Sequence, residues 1–193
     1  LIYNGASVTR EFLDSAAQLS YPNFEILVCD MGSDENPADI IDVERYPNTR
    51  LLLSGQNLGF AGGNNWGMRQ AKGDYYLIIN NDTIITPDLL SKLLQPFLND
   101  SSIGVVCPKI KMFHRRDTIE YAGFKPMNAF TGRVSAFGFN EVDKGQHDVS
   151  GPTHGAHGCA MMVKKEVVAE TGMFPEKFFM YFEECDWSGR IQK

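Results

Sequence analysis

Two short stretches carry residue types suited to chemistry. The first is IINND at 78–82, where two isoleucines run into Asn80, Asn81 and Asp82. An ionised aspartate only accepts hydrogen bonds, and hard cations take oxygen ligands. Mg2+ and Mn2+ are often held by one or two carboxylates while substrate phosphates complete the shell. Asp82 beside Asn80 suits that task, although a plain polar turn before a helix would use the same residues. The second stretch is FFMYFEECDWSGR at 178–190. An aromatic wall precedes Glu183, Glu184 and Asp186. Mutual repulsion and partial desolvation raise carboxylate pKa values, which fits one of the three for general-base work. The plainer alternative is a helix start whose acids favour the dipole.

A third stretch, NLGFAGGNNWG at 57–67, combines closely spaced glycines with asparagines. Position 61 is Ala, so it is not G-x-G-x-x-G, and no P-loop signature occurs anywhere in the chain. Both absences argue against a standard dinucleotide enzyme and a P-loop NTPase. The stretch reads either as a turn shaping a pocket for a base or ribose, or as a permissive loop. His147, His154, His157 and Cys159 do not match a zinc ligand spacing and read instead as a loop flanking an acceptor site. No G-x-S-x-G elbow occurs.

These residues need a scaffold. Apolar runs begin at Phe24, Thr49, Tyr75 and Ile103, at intervals of 25, 26 and 28 residues. They lack polar alternation, as strands buried on both faces do. Helices are expected between them: Ser7–Leu19, a short one over Pro37–Glu44 carrying Ile40, Ile41 and Val43, and Asn64–Ala71. Another begins with Thr86 as N-cap and Pro87 in its first turn. Strand–helix alternation predicts an α/β fold with a single open, mostly parallel twisted sheet and flanking helices. Leu1–Tyr3 reads as the tail of an earlier strand, and both ends read as cut from a longer polypeptide. Residues 109–151 read as hairpins and loop. Order resumes over HGCAMMVKKEVVAETG at 157–172, with a strand, a helix from about Lys164 and a stop at Gly172.

In such sheets, ligands sit at the carboxyl ends of the strands. Those ends deliver Tyr3-Asn4-Gly5, Asp30-Met31-Gly32-Ser33-Asp34, Gln56-Asn57-Leu58-Gly59 and Asn80-Asn81-Asp82. Four polar ends in succession exceed what turn chemistry alone demands.

Composition bounds the rest. The chain has 193 residues, 43% of them hydrophobic, enough for one well-buried domain. Its net charge is −6 with no basic block, so nucleic acid is not an expected partner. Its cysteines, Cys29, Cys107, Cys159 and Cys185, form no C-x-x-C pair and read as reduced thiols in a cytosolic protein. No signal peptide or membrane-spanning run is apparent. The expected location is cytoplasmic, at the inner face of a membrane through parts outside these residues.

Taken together, YNG at 3–5, ILVCDMGSDE at 26–35, NLGFAGGNNWGMRQAKGDYYLIINND at 57–82 and GCAMMVKKEVVAETGMFPEKFFMYFEECDW at 158–187 resemble family-2 inverting glycosyltransferases of the type A fold. The likeness is to members that build bacterial surface polysaccharides, including rhamnosyltransferase-like ones. It implies a nucleotide-sugar-binding half at 1–108 and an acceptor-binding, catalytic half at 109–193 of the same domain. It places Tyr3, Asn4, Asp30 and Ser33 around the nucleotide, with Asn57, Gly59 and Asn65 of the glycine-rich loop closing over it. Asn80 and Asp82 fall on the D-x-D-like element, where Asp82 holds Mg2+ or Mn2+ against the diphosphate. Glu184 falls on the usual catalytic base.

The implied partners are a nucleoside-diphosphate sugar donor and a saccharide or lipid-linked saccharide acceptor. The chain departs from the family pattern in three places. Met31 stands where Asn is frequent, the metal motif lacks its first carboxylate, and Glu184 replaces an Asp, which leaves Glu183 and Asp186 as rivals for the base. Two other readings are a sugar nucleotidyltransferase, which should carry a glycine-rich basic loop near its start, and a non-catalytic nucleotide-sugar-binding module.

Overall fold

The structure, a computed structural model, describes residues 1–193 except Ile40, Pro47, Ala129 and Lys193. The first apolar run forms β1 (Ile26–Asp30), preceded by helix α1 (Ala6–Ala16). β2 (Thr49–Leu53), α2 (Gly59–Gln70), β3 (Tyr75–Ile79), α3 (Leu89–Asn99) and the two-residue β4 (Val105–Val106) follow. The later half supplies β5 (Ile110–Met112), β6 (Arg115–Tyr121), β7 (Ala160–Lys164), α4 (Lys165–Thr171) and α5 (Glu183–Ile191). All four expected runs become strands, and α4 stops at Gly172, whose φ is 76°.

The α/β class holds, and the pairing is mixed. β1 and β2 run parallel, and Ile2 bridges Asp30 in parallel beyond them. β7 lies between β3 and β4, antiparallel to both, and all five of its residues are buried. The sequence argument for a mostly parallel sheet rested on burial on both faces. A central antiparallel strand such as β7 reads the same way. β7 returns after a long excursion rather than through a short helical crossover, so no handedness rule fixes its direction.

Alternation along β3 separates two helical layers. Tyr75 and Leu77 pack with Met162 against Leu90, Leu93 and Phe97 of α3. Tyr76 and Ile78 face the other way, with Met161 and Val163, towards Met68 of α2, Val168 of α4 and Trp187 of α5. α1 covers β1 through Phe12, Leu13 and Ala16. A cavity of about 590 Å3 runs between β1 and β3, lined by Leu27, Cys29, Leu77, Ile79, Gly67 and Met68 among others. It lies along the strands.

Several local expectations shift. The helix expected over Pro37–Glu44 is two short 3-10 turns, Pro37–Asp39 and Val43–Arg45; Ile40 lies outside the described residues. α3 begins after Asp88, not Thr86, because the Thr86 hydroxyl donates to the Asp88 carboxylate across 2.7 Å instead of capping. Residues 109–151 form the expected hairpin, β5 against β6. It is tied down by Asp143, which pairs with Lys109 at 2.9 Å and with Lys111 at 2.8 Å. All four cysteines are free.

Candidate active site

The carboxyl end of β1 opens into a loop organised by Asp30. Its side chain is 4% exposed and accepts from the backbone N–H of Gly32 at 3.0 Å, that of Ser33 at 3.2 Å, and the Ser33 hydroxyl. Ser33 in turn accepts from the Asn4 backbone N–H at 2.9 Å. Asn4, left-handed at φ 52°, exchanges hydrogen bonds with Asp34. Asn and Asp tolerate this conformation because their short polar side chains bond locally. Asp30, expected among the residues around the nucleotide, thus organises the loop that carries Ser33. Tyr3, 56% exposed, stands open beside this network.

The glycine-rich stretch is helical five residues earlier than expected. Asn57 starts it by accepting from the Gly59 N–H at 2.9 Å. Packing explains the small residues. A Cβ at Gly63 would lie 2.7 Å from the Met31 sulfur, so α2 lies close against the end of β1. Gly59, at φ 69°, leaves room for the Phe179 carbonyl, which a Cβ would overlap. Asn65, expected to close over the nucleotide, is 1% exposed, and its amide is engaged by Phe174 and Glu176. The amphipathic pattern could have flagged this, because Asn65 shares the inner face of α2 with Ala61 and Met68.

At the end of β3, the Asn80 N–H donates to the Cys159 carbonyl at 2.9 Å. The Asn81 side chain turns back to Thr9, donating to its hydroxyl at 2.9 Å. Asp82 is exposed. Burial, then the charges of Asp82 and Glu120, push the Cys159 thiol up to about 11. Among the described residues no group of three or more His, Cys, Asp or Glu side chains forms a ready-made metal cage. A lone exposed carboxylate at a strand end fits an ion whose remaining ligands come from substrate phosphates and water.

The three clustered acids separate in the structure. Asp186 is occupied by Arg190, at 2.9 Å, and Arg190 also donates to the carbonyls of Thr171 and Met173. Glu183 is 3% exposed, and burial followed by the Glu184 charge raises its pKa. Glu184 is half-buried and faces the turn before β7; a Cβ at Gly158 would lie 4.0 Å from its carboxyl carbon. Both glutamates keep a buried Oε2 without a hydrogen-bond partner among the described residues. α5 is held firmly. Trp187, 1% exposed, donates to the Gly172 carbonyl at 2.7 Å, and the Ser188 hydroxyl accepts from the Ala156 N–H at 2.9 Å. Its entry is strained, with Tyr181 and Phe182 both left-handed at φ 74° and 72°.

Because β7 runs antiparallel to β3, its amino end lies beside the carboxyl end of β3. The turn at 157–159 therefore joins the Asp82 side of the cleft to the Glu184 side. Sequence reasoning undervalued His157. Its ring packs against both Tyr121 and Phe124, with centroids at 4.8 and 5.7 Å, and its Nδ1 accepts from the Cys159 N–H at 3.1 Å. The proton of the neutral ring is thus assigned to Nε2. Burial lowers the His157 pKa, while Glu120 and Glu184 oppose that shift. A histidine three residues before a buried strand was the available signal. Glu120, in the loosely patterned β6, offered none.

The model for glycosyl transferase family 2 matches residues 1–172. The chain belongs to that family. Among curated relatives, the poly-beta-1,6-N-acetyl-D-glucosamine synthase of Staphylococcus epidermidis is 30% identical over 127 residues, covering 62% of this chain and 31% of that protein. The chain thus spans about a third of the length of the curated relatives it matches. Two solved structures share its fold. The mannosyltransferase PcManGT from Pyrobaculum calidifontis, in complex with GDP-Man and Mn2+, is 19% identical with a TM-score of 0.68, over 98% of this chain and 49% of that one. S. aureus TarS 1–349 in complex with UDP-GlcNAc is 21% identical with a TM-score of 0.66, over 98% and 50%. The type A glycosyltransferase fold expected from the sequence is the fold observed. No helix among the described residues is long and apolar enough to cross a membrane.

Proposed function

We propose that this family-2 chain transfers a sugar from a nucleoside-diphosphate donor to an acceptor hydroxyl with inversion, in the synthesis of a cell-surface polysaccharide. Residues 1–108 are the donor half and 109–193 the acceptor and catalytic half. The acceptor is a saccharide or lipid-linked saccharide. The setting is cytoplasmic, at the inner face of a membrane reached through parts outside these residues. The observation that carries the reading is the bond between Asn80 and Cys159, which brings the strand end bearing Asp82 to the turn that faces Glu184.

Tyr3, Asn4, Ser33 and Asn57 line the nucleotide pocket, and Asp30 holds its loop in shape. Asp82, with Asn80 beside it, would hold Mg2+ or Mn2+ for a diphosphate donor. When bound, such an ion neutralises charge developing on the leaving group. Glu184 removes the proton from the acceptor hydroxyl. The oxygen's electron pair then bonds the anomeric carbon from the face opposite the diphosphate. The bond to the diphosphate oxygen breaks, and its electrons leave with the nucleoside diphosphate. Glu184 is assigned the base because Asp186 is neutralised by Arg190 and Glu183 is enclosed.

Incubation with UDP-, dTDP- and GDP-sugars plus Mn2+ tests the reading. Slow release of nucleoside diphosphate from at least one donor supports it. Pyrophosphate-dependent chemistry, or silence across the panel, contradicts it.

A further inference from the structure

α2 does more than carry the glycine-rich loop. Asn65 points from it into the segment that leads to α5. Its Nδ2 donates to the Phe174 carbonyl and to Glu176 Oε1, both at 2.9 Å, and its Oδ1 accepts from the Phe174 N–H at 3.0 Å. One turn further on, Arg69 reaches the same Glu176 oxygen at 3.2 Å. One turn back, the Phe60 N–H donates to the Phe179 carbonyl at 2.8 Å. Phe174, bracketed by Asn65, packs on Phe60 at 5.8 Å and on Trp187 of α5 at 4.4 Å. One helix thus grips the 174–179 segment at three successive levels, just before Glu183 and Glu184.

We infer that Asn65 is a positioning residue for Glu184: it fixes the distance between the donor loop at the start of α2 and the base at the start of α5. This rests on the proposed transfer reaction. Its side chain is 1% exposed and satisfied on both its oxygen and its nitrogen, so it acts through backbone placement rather than by touching donor. A buried amide bonding a backbone N–H and C=O together imposes one geometry, and removing it leaves both groups unpaired.

The test compares the parent with Asn65→Ala, Asn65→Asp and a double variant that combines Asn65→Asp with Glu176→Gln. In the double variant the amide introduced at position 176 can donate to the carboxylate introduced at position 65, restoring the side-chain link with reversed polarity. Hydrogen exchange across 174–184 reads the placement directly. It should speed up in both single variants and slow again in the double one. A misplacement of about 1 Å can cost about a hundredfold in rate. Diphosphate release should therefore fall by about that factor, with donor affinity held within about twofold of the parent, and recover in part in the double variant. Unchanged exchange across 174–184 in the single variants overturns the inference, as does a rate loss matched by an equal loss of donor affinity. Should Asn65→Ala fail to fold, Glu176→Gln alone loosens only the side-chain arm and must still raise exchange there. If the parent releases no diphosphate from any donor, the proposed reaction fails, while the exchange data still decide whether Asn65 places this segment.

Discussion

The backbone N–H of Asn80 donates to the carbonyl of Cys159 across 2.9 Å. Asp82 lies two residues beyond one partner. Gly158, against the Glu184 carboxyl, precedes the other. Asp82, proposed to hold a cation, and Glu184, the proposed base, are 102 positions apart in sequence and are thereby brought to the same turn.

Replacing Glu184 by Gln keeps the shape of the side chain and removes its basicity. Loss of a positioned general base typically costs about 10²–10⁴ in rate. Glu184→Gln is therefore expected to release diphosphate that much more slowly while binding donor as the parent does. Asp186→Asn is expected to lower thermal stability through Arg190 instead, with a smaller effect on rate. Parallel rate and calorimetric measurements on the two variants distinguish these roles; parental activity in Glu184→Gln removes the assignment.

Gly59 is constrained twice, by φ of 69° and by the Phe179 carbonyl, which would overlap a Cβ at this position. A left-handed non-glycine residue costs roughly 1–3 kcal/mol. The backbone clash adds to that, since a carbonyl cannot move aside as a flexible side chain can. Gly59→Ala should lower the unfolding midpoint measurably and weaken donor binding, because Gly59 begins the helix that follows Asn57, a proposed nucleotide-pocket residue. An unshifted melting curve contradicts the close approach.

Asp143 anchors the hairpin region. Lys111, then Lys109 and the Gly145 N–H, hold its carboxyl well below the usual range. A depressed pKa contributes stability that is fully present above the ordinary carboxylate value of about 3.9 and is lost as pH falls through the lower folded value. Asp143→Asn should thus melt earlier than the parent at pH 7, and the two midpoints should converge as pH falls well below 4. A gap independent of pH would assign the effect to packing.

Much of this arrangement is legible in the residues themselves. Unbroken apolar runs announce β1, β2 and β3, and the polar groups after each mark the site edge. β7 and α4 follow from a buried run closed by Gly172. What the sequence hides is pairing. Nothing local to AMMVK says that it enters antiparallel between β3 and β4, and only that entry brings His157 and Gly158 beside the carboxyl end of β3. The burial of Asn65 is hidden for a related reason. A polar residue in a glycine-rich stretch looks ligand-facing until its partners, 109 and 111 residues away, are known. The ranking among Glu183, Glu184 and Asp186 likewise depends on burial and on Arg190, which spacing alone does not weigh.

Most depends on the proposal that Asp82 would hold the cation needed by a diphosphate donor. The direct measurement is calorimetric titration of the parent and Asp82→Asn with UDP-, dTDP- and GDP-sugars, each with and without Mn2+. The account predicts Mn2+-dependent binding of at least one donor by the parent and its loss in Asp82→Asn. Equal, Mn2+-dependent affinity in the two proteins would contradict it.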